Sequence, residues 1–499
     1  MSQYYQRAQN SMDDGKLETT SSNPLLETGV EGLDVTLGGG LPAYGLYLIQ
    51  GLAGSGKTTL ACQMGFIHAR QGNKVIVITL LAESHAKMFS HFKNFSFYDE
   101  KLIGTSIVFF SGYSALVKDG LHSILQQIAE AMASEKPSML IIDGFRSVRT
   151  SAPSNLALAE FMHSLNSLAS TMQCTTLILS PVEGNITDSE NTLVDGVIEL
   201  GQHAQGMQVI REMQIFKIRG ANHLLGKHVF EVKETGVVVY PRFEAVRTYS
   251  TGSQEASGEH ISTGIPSWDC RIGGGVTKGS ITCLLGSPGV GKTIMGLHFL
   301  KDGLNKQEKC LHVGFYESPS ALLLKAGRVG IDLTTAMHDG RLDVMWQLPL
   351  EILVDDLATR VFANIKKRGV TRVFIDGLEG LSNLVMHPER SRSFLVAFTS
   401  ELRTLGVTTI FSEQLHYFRK AVPMAEPSSS VLFENVILLE YLAYEDVNYR
   451  QISVMKLREN GYDGTNRLMT ITEEGMKIGD PVAQLKAGRI NDDSKNCSN

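Results

Sequence analysis

Short apolar runs rich in β-branched residues recur along the chain, each bounded by polar or glycine-containing stretches. Residues 46–50, 74–79, 139–143 and 175–180 form such runs in the first half, and residues 280–285, 372–376 and 407–412 in the second. Stretches with helical character lie between them. Continuous rather than alternating hydrophobicity predicts strands buried on both faces. That pattern belongs to a mostly parallel sheet covered by helices on both sides, with ligands at the carboxyl ends of the strands. The fold class expected is therefore α/β.

The pattern occurs twice. Thr28-Gly29…Asp34…Gly38-Gly39-Gly40 is answered by Thr263-Gly264…Asp269…Gly273-Gly274-Gly275. The offset is 235 residues from Gly29 to Gly264 and from Lys57 to Lys292, 233 from Asp143 to Asp376, and 239 from Lys217 to Lys456. A nearly constant offset through successive motifs means one duplicated domain rather than a short repeat. The expected division is a polar arm over 1–22, a first domain over 23–243 and a linker over 244–259. A second domain over 260–480 and a polar tail over 481–499 complete it.

Each copy carries a G-x-x-x-x-G-K-T loop directly after a predicted strand and before a predicted helix. The first is Gly51-Leu-Ala-Gly54-Ser55-Gly56-Lys57-Thr58-Thr59 and the second Gly286-Ser-Pro-Gly289-Val290-Gly291-Lys292-Thr293-Ile294. Glycines let backbone N–H groups curl around phosphate, the lysine neutralises the outer phosphates, and the threonine hydroxyl suits Mg²⁺. Asp143 and Asp376 each close an apolar strand, where a P-loop protein holds its Mg²⁺-water partner; outside that context Asp-Gly would read as a turn. Glu83 and Glu317 follow the second strand of each copy and are candidates to activate a nucleophile, although a solvated strand-end carboxylate looks the same. Lys217 with Arg219, and Lys456 with Arg458, form K-x-R pairs whose alternation puts both cations on one strand face, as a phosphate contact or a solvated basic edge.

Composition narrows the setting. The 499 residues are 43% hydrophobic and 20% charged with a net charge of −6, a globular balance without general attraction to nucleic acid or anionic membrane. Six cysteines form no C-x-x-C or zinc spacing, and the start of the chain lacks a secretory pattern, so reduced thiols and the cytoplasm are expected, with no membrane partner.

The doubled module, the triple-glycine opening, the GKT loop, the Glu-Ser after the second strand, Ile-Asp-Gly and the late K-x-R together resemble the KaiC family over about residues 24–480. The resemblance implies two tandem RecA-like ATPase domains and a homohexamer with ATP and Mg²⁺ at subunit interfaces. The two loops would bind ATP, Thr58 and Thr293 would reach the metal, and Lys217, Arg219, Lys456 and Arg458 would touch a neighbour's nucleotide. Three departures stand out. The clock member has paired glutamates after the second strand; here Ala82 and Tyr316 replace the first of each pair, leaving Glu83 and Glu317. Its phosphorylated Ser-Thr pair aligns with Ser430 and Val431, so single-site phosphorylation within Ser428, Ser429 and Ser430 is what remains, with Arg392 at an interface-arginine position. Glu459 stands where the first copy has Gly220. Three functions stay open: a Mg-ATP-hydrolysing hexamer with serine autokinase activity in clock-like or signalling regulation, a nucleotide-gated ring scaffold recruiting a signalling partner, and a RecA/RadA-like DNA-dependent ATPase. The last is disfavoured because no basic loop interleaved with aromatics is present.

Overall fold

A computed structural model describes residues 24–81, 85–182, 192–205, 208–246, 258–348, 353–415, 432–458 and 461–486. The chain divides into two compact units, Met1–Val246 and Arg247–Asn499.

In the first unit the main elements are β1 (Leu46–Gly51), α1 (Lys57–Arg70), β2 (Val75–Thr79), β3 (Ile107–Ser111), α2 (Tyr113–Glu135), β4 (Met139–Asp143), α3 (Asn155–Thr171) and β5 (Thr175–Ser180). Four more strands follow: β6 (Gly196–Gln205), β7 (Gln208–Ile218), β8 (Lys227–Lys233) and β9 (Gly236–Tyr240). They make one nine-stranded sheet in the order β3-β2-β4-β5-β1-β6-β7-β8-β9. The first six in that order pair in parallel and the last three are added antiparallel.

Both faces of the parallel part are buried, as the unbroken apolar runs require. Tyr47, Ile49, Val75, Val77 and Ile141 join one core with Leu60, Met64 and Phe66 of α1. Their neighbours Leu46, Leu48, Ile76, Ile78 and Ile142 join the opposite core with Ile124 and Ile128 of α2 and Phe161 and Leu165 of α3. A one-residue slip would exchange the two sets, so packing on both sides pins the register.

The second unit repeats the plan with β10 (Ile281–Gly286), α4 (Lys292–Asn305), β11 (Cys310–Gly314), α5 (Pro319–Gly327), β12 (Leu342–Trp346), α6 (Val354–Arg368), β13 (Arg372–Asp376) and α7 (Ser391–Thr404). It closes with β14 (Thr408–Gln414), β15 (Asn435–Tyr444), β16 (Val447–Lys456), β17 (Arg467–Thr472) and β18 (Gly475–Pro481). The order β12-β11-β13-β14-β10-β15-β16-β17-β18 is that of the first unit, strand for strand. Phe362 of α6 packs on Phe398 of α7 with ring centroids 4.9 Å apart, away from the core that α4 covers. Each unit is thus the mostly parallel, doubly covered sheet expected. The antiparallel strands come without a distinct hydrophobic signature, because their apolar runs resemble those of the parallel strands.

Two short helices lie at the expected domain edges. The helical turn Phe243–Val246 enters the segment read as linker, tied down by buried Phe243. Within the segment read as a polar tail, Val482–Lys486 forms a short helix that buries Val482 and Leu485.

The same lock joins the loop helix to the last hairpin of each unit, built from different chemistry. On α1, Gln63 donates to Val237 O (3.2 Å) and accepts from Val237 N–H (2.6 Å). On α4 the corresponding residue is His298, whose Nε2 accepts from Met476 N–H at 3.0 Å. Gly236 and Gly475 precede these partners with φ of +107°, and a Cβ on either would lie 2.4–2.6 Å from the Gln63 or His298 side chain. Only glycine meets both conditions. Burial, with Lys301 nearby, pushes the His298 ring down to about 4, keeping Nε2 free to accept.

The second unit also buries a charge where the first has none. Arg372, 1% exposed, donates to Glu308 (2.8 and 3.0 Å), Asp302 (2.9 Å) and the carbonyls of Ser262 and Phe299 (3.0 Å each). Burial alone would raise the Glu308 carboxyl, but the Arg372 and Thr371 hydrogen bonds outweigh it and hold that carboxyl low. Met139 starts the equivalent strand of the first unit.

Two predictions follow from these locks. Both tryptophans, Trp268 and Trp346, lie in the second unit, so their fluorescence reports its unfolding. Arg372→Met should strand two acidic groups and lower that unit's stability by about 3–5 kcal/mol in denaturant titration. Between pH 6.5 and about 4 the unfolded chain binds a proton at His298 that the folded chain refuses. Stability from this group is therefore complete above 6.5 and is lost as pH falls towards 4. His298→Gln, the first unit's solution, should flatten that fall in the tryptophan-detected unfolding midpoint.

Candidate functional site

Each glycine-rich loop leaves the central strand of its sheet and opens a 14-residue helix, α1 or α4. The helix caps Gly56 and Gly291 have φ of +101° and +121°, turning the chain so that the first-turn N–H groups face outward at the strands' carboxyl end. Such an end attracts anions, since its donors lack intrahelical acceptors.

The lysines fold back over their loops. Lys57 Nζ donates to Gly51 O (2.7 Å) and Leu52 O (2.8 Å), and Lys292 Nζ to Gly286 O (2.7 Å) and Ser287 O (2.8 Å). Burial lowers both ammonium groups from their ordinary values, against the opposing pull of Asp143 and Asp376 respectively. Thr58 Oγ1 donates to Asp143 Oδ2 at 2.8 Å, and Thr293 Oγ1 to Asp376 Oδ2 at 2.9 Å. Those aspartates close β4 and β13, two strands away from the loop strand, because β5 or β14 is inserted between. The structure thus brings together lysine, threonine and aspartate in both units.

Other loop residues divide by direction. Gly54 and Gly289 sit at the loop tips with φ of +76° and +73°. Ser55 and Val290 occupy the same loop position and both are fully buried, so any phosphate contact from them is through backbone. Ile294 is buried in the core, while Thr59 is half-buried in the first turn of α1.

The K-x-R pairs lie elsewhere. Lys217 pairs in register with Val197 and through it with Leu48, three residues before Gly51 on β1. Lys456 pairs with Val436 and so with Cys283, three residues before Gly286. Both therefore sit towards the amino end of the central strand, about 10 Å back from their own loop by strand rise. In both units the ladder is irregular just before the lysine, between Val197 and Ile198 and between Val436 and Ile437. Such a bulge re-aims the residues that follow it. Lys217 donates to Val194 O (2.6 Å) and Thr192 O (3.3 Å), and exposed Arg219 reaches the same Thr192 O (3.1 Å), so the first pair does converge. Lys456 donates to Phe433 O at 2.6 Å, and Arg458 is exposed.

Glu317 lies three residues beyond Gly314, which pairs in register with Asp376. Its Oε1 is bound to Lys325 of α5, and its Oε2 is buried without a hydrogen-bond donor. Tyr316, 62% exposed, has its ring edge 3.6 Å from where a Gly377 Cβ would be. Arg392 is exposed at the start of α7. Ala82, Glu83, Ser428, Ser429, Ser430, Val431 and Glu459 lie outside the described residues.

Three neighbours escaped the sequence reading. Ser412 Oγ donates to Asp376 Oδ1 at 2.6 Å, a partner its register mate in the first unit, Leu179, cannot supply. Lys325 is one of many helix lysines until α5 is placed. His312 of β11 is 2% exposed with neither ring nitrogen hydrogen-bonded, where the first unit has Val77. Burial pushes its ring down to about 4, with Asp376 opposing and Lys325 reinforcing the shift.

Among the described residues no helix is long and apolar enough to cross a membrane. A family model described as "ATPase: KaiC" matches residues 26–244 and again 261–483. The chain is 25% identical over 467 residues to circadian clock oscillator protein KaiC 1 of Synechocystis sp., covering 91% of this chain and 89% of that one. It is 25% identical over 491 residues to KaiC of Parathermosynechococcus lividus (95% and 90%) and 24% over 490 to KaiC of Prochlorococcus marinus strain MIT 9313 (94% and 97%). With both halves matched and a repeated lysine–threonine–aspartate geometry behind each loop, the chain belongs to the KaiC ATPase family.

Proposed function

We propose that each unit binds Mg-ATP on its glycine-rich loop and that the assembled protein hydrolyses it. The observation that carries this reading is the Thr–Asp pair, made twice at 2.8 and 2.9 Å behind a helix N-terminus. Hydroxyl and carboxylate oxygens are the hard donors Mg²⁺ takes, and one or two carboxylates with retained water suit its octahedral habit. Thr58 with Asp143, and Thr293 with Asp376, would hold the ion, Asp143 and Asp376 acting through water; bound there it would neutralise charge on the β- and γ-phosphates. Lys57 and Lys292, freed from their loop carbonyls, would bind those phosphates. Their lowered proton affinity stems from burial, and an anion offsets that cost.

The register of the K-x-R pairs supports a ring. Since Lys217, Arg219, Lys456 and Arg458 lie back from their own loops, they serve a neighbour's nucleotide, in the homohexamer that the family resemblance implies. ATP binding and assembly are then linked, because a ligand that needs two subunits stabilises their contact. We place this ring in the cytoplasm. Glu83 and Glu317 take the part of nucleophile-activating groups, and Ser430, with Ser428 and Ser429 beside it, is the residue an autokinase activity of the second unit would modify.

A second reading is favoured by one observation: Tyr316, 62% exposed, stands where the resemblance implies a second carboxylate beside Glu317. On that reading ATP closes a ring that recruits a signalling partner with little turnover.

Incubation with γ-labelled ATP and Mg²⁺ separates these. Released phosphate that falls in Asp143→Asn and Asp376→Asn supports hydrolysis, whereas bound ATP without release supports the scaffold. Label kept on the protein and lost in Ser430→Ala establishes the autokinase. Lys57→Ala and Lys292→Ala each remove a charged hydrogen bond worth about 1.5–3 kcal/mol, so ATP affinity at that site should drop roughly 10- to 150-fold in equilibrium binding. Sedimentation of the double variant should show ATP-dependent assembly lost.

A further inference from the structure

Tyr316 removes one carboxylate from the second site, and what remains is organised by a helix behind it. Lys325, on α5, binds Glu317 Oε1 and leaves Oε2 buried with no donor from the protein. A carboxylate oxygen held out of water without a donor is costly, so such an atom is a prepared acceptor for a group that arrives with the ligand. Two features tie this pair to the nucleotide site. The segment leading to Glu317 starts at Gly314, abreast of Asp376. The ring of Tyr316 packs by Gly377, next to Asp376.

We infer that Lys325 is a positioning residue of the second ATP site, clamping one oxygen of Glu317 so that the other receives the proton of the attacking water. This rests on the reading that the second unit hydrolyses ATP. In that step water gives one proton to Oε2 while its oxygen bonds to the γ-phosphorus. The bond from that phosphorus to the β–γ bridging oxygen breaks, its electron pair leaves with ADP, and Glu317 later returns the proton to solvent. A carboxylate free to rotate would present either oxygen at many angles, and proton transfer in the transition state demands one. By the 234-residue offset that relates Glu83 to Glu317, His91 of the first unit stands at the position of Lys325.

The test uses the full chain in a Lys57→Ala background, with only the second loop intact, and measures steady-state phosphate release. Lys325→Met should lower kcat at least tenfold with KM within about twofold, since the residue touches no part of ATP, and Lys325→Arg should restore most of the loss. A mere packing role would not divide kcat from KM in this way or answer to a restored cation. Unchanged or increased kcat in Lys325→Met overturns the inference alone. A loss that Lys325→Arg does not recover, or a matching rise in KM, overturns it too. If the background variant binds ATP but releases no phosphate, second-site hydrolysis itself fails, and the inference falls with it.

Discussion

A threonine hydroxyl that reaches across the sheet to an aspartate two strands away is the contact on which each half of this protein depends. It forms only if the loop strand is central, the intervening strand is inserted beside it, and the aspartate's strand ends level with the loop. Slipping the aspartate's own strand by one residue would turn the aspartate to the other side. The two hydrophobic cores prevent this, because each strand sends alternate residues into opposite cores and neither set can be exchanged. Burial is thus what sets the geometry of the polar site.

The duplication allows the molecule to be compared with itself. Glycines, lysine, threonine and aspartate of the loop sites are the same in both units, and so are their distances to within 0.1 Å. Elsewhere the units reach one end by different chemistry. Gln63 and His298 perform one locking task, and Ser55 and Val290 fill one loop interior, the serine hydroxyl without a partner. A buried methionine in one unit is a buried arginine with two carboxylates in the other. Packing accepts several answers, whereas the lysine–threonine–aspartate geometry behind each loop is repeated.

The differences also bear on how the halves divide labour. The second unit sets Ser412 on its aspartate, has a buried histidine, His312, where the first has Val77, and ties Glu317 to Lys325. Beside these differences, the lysine and threonine contacts of the two loops stay alike. The cationic pairs lie back from their own loops along the central strand in both halves.

Much of this was written in the sequence. The continuous apolar runs announce a sheet buried on both faces, the spacing of glycine, lysine and threonine announces a phosphate loop, and the constant offset announces two copies. These signals are local, carried by residues adjacent in the chain, so they survive without a structure. The tertiary fold alone decided which residues surround each loop. Ser412 meets Asp376 through strand register, Lys325 meets Glu317 through the placement of α5, and Lys217 lies away from its own loop because an antiparallel strand returns past it. Each is a meeting of residues distant in sequence, fixed by pairing and packing that no local pattern records.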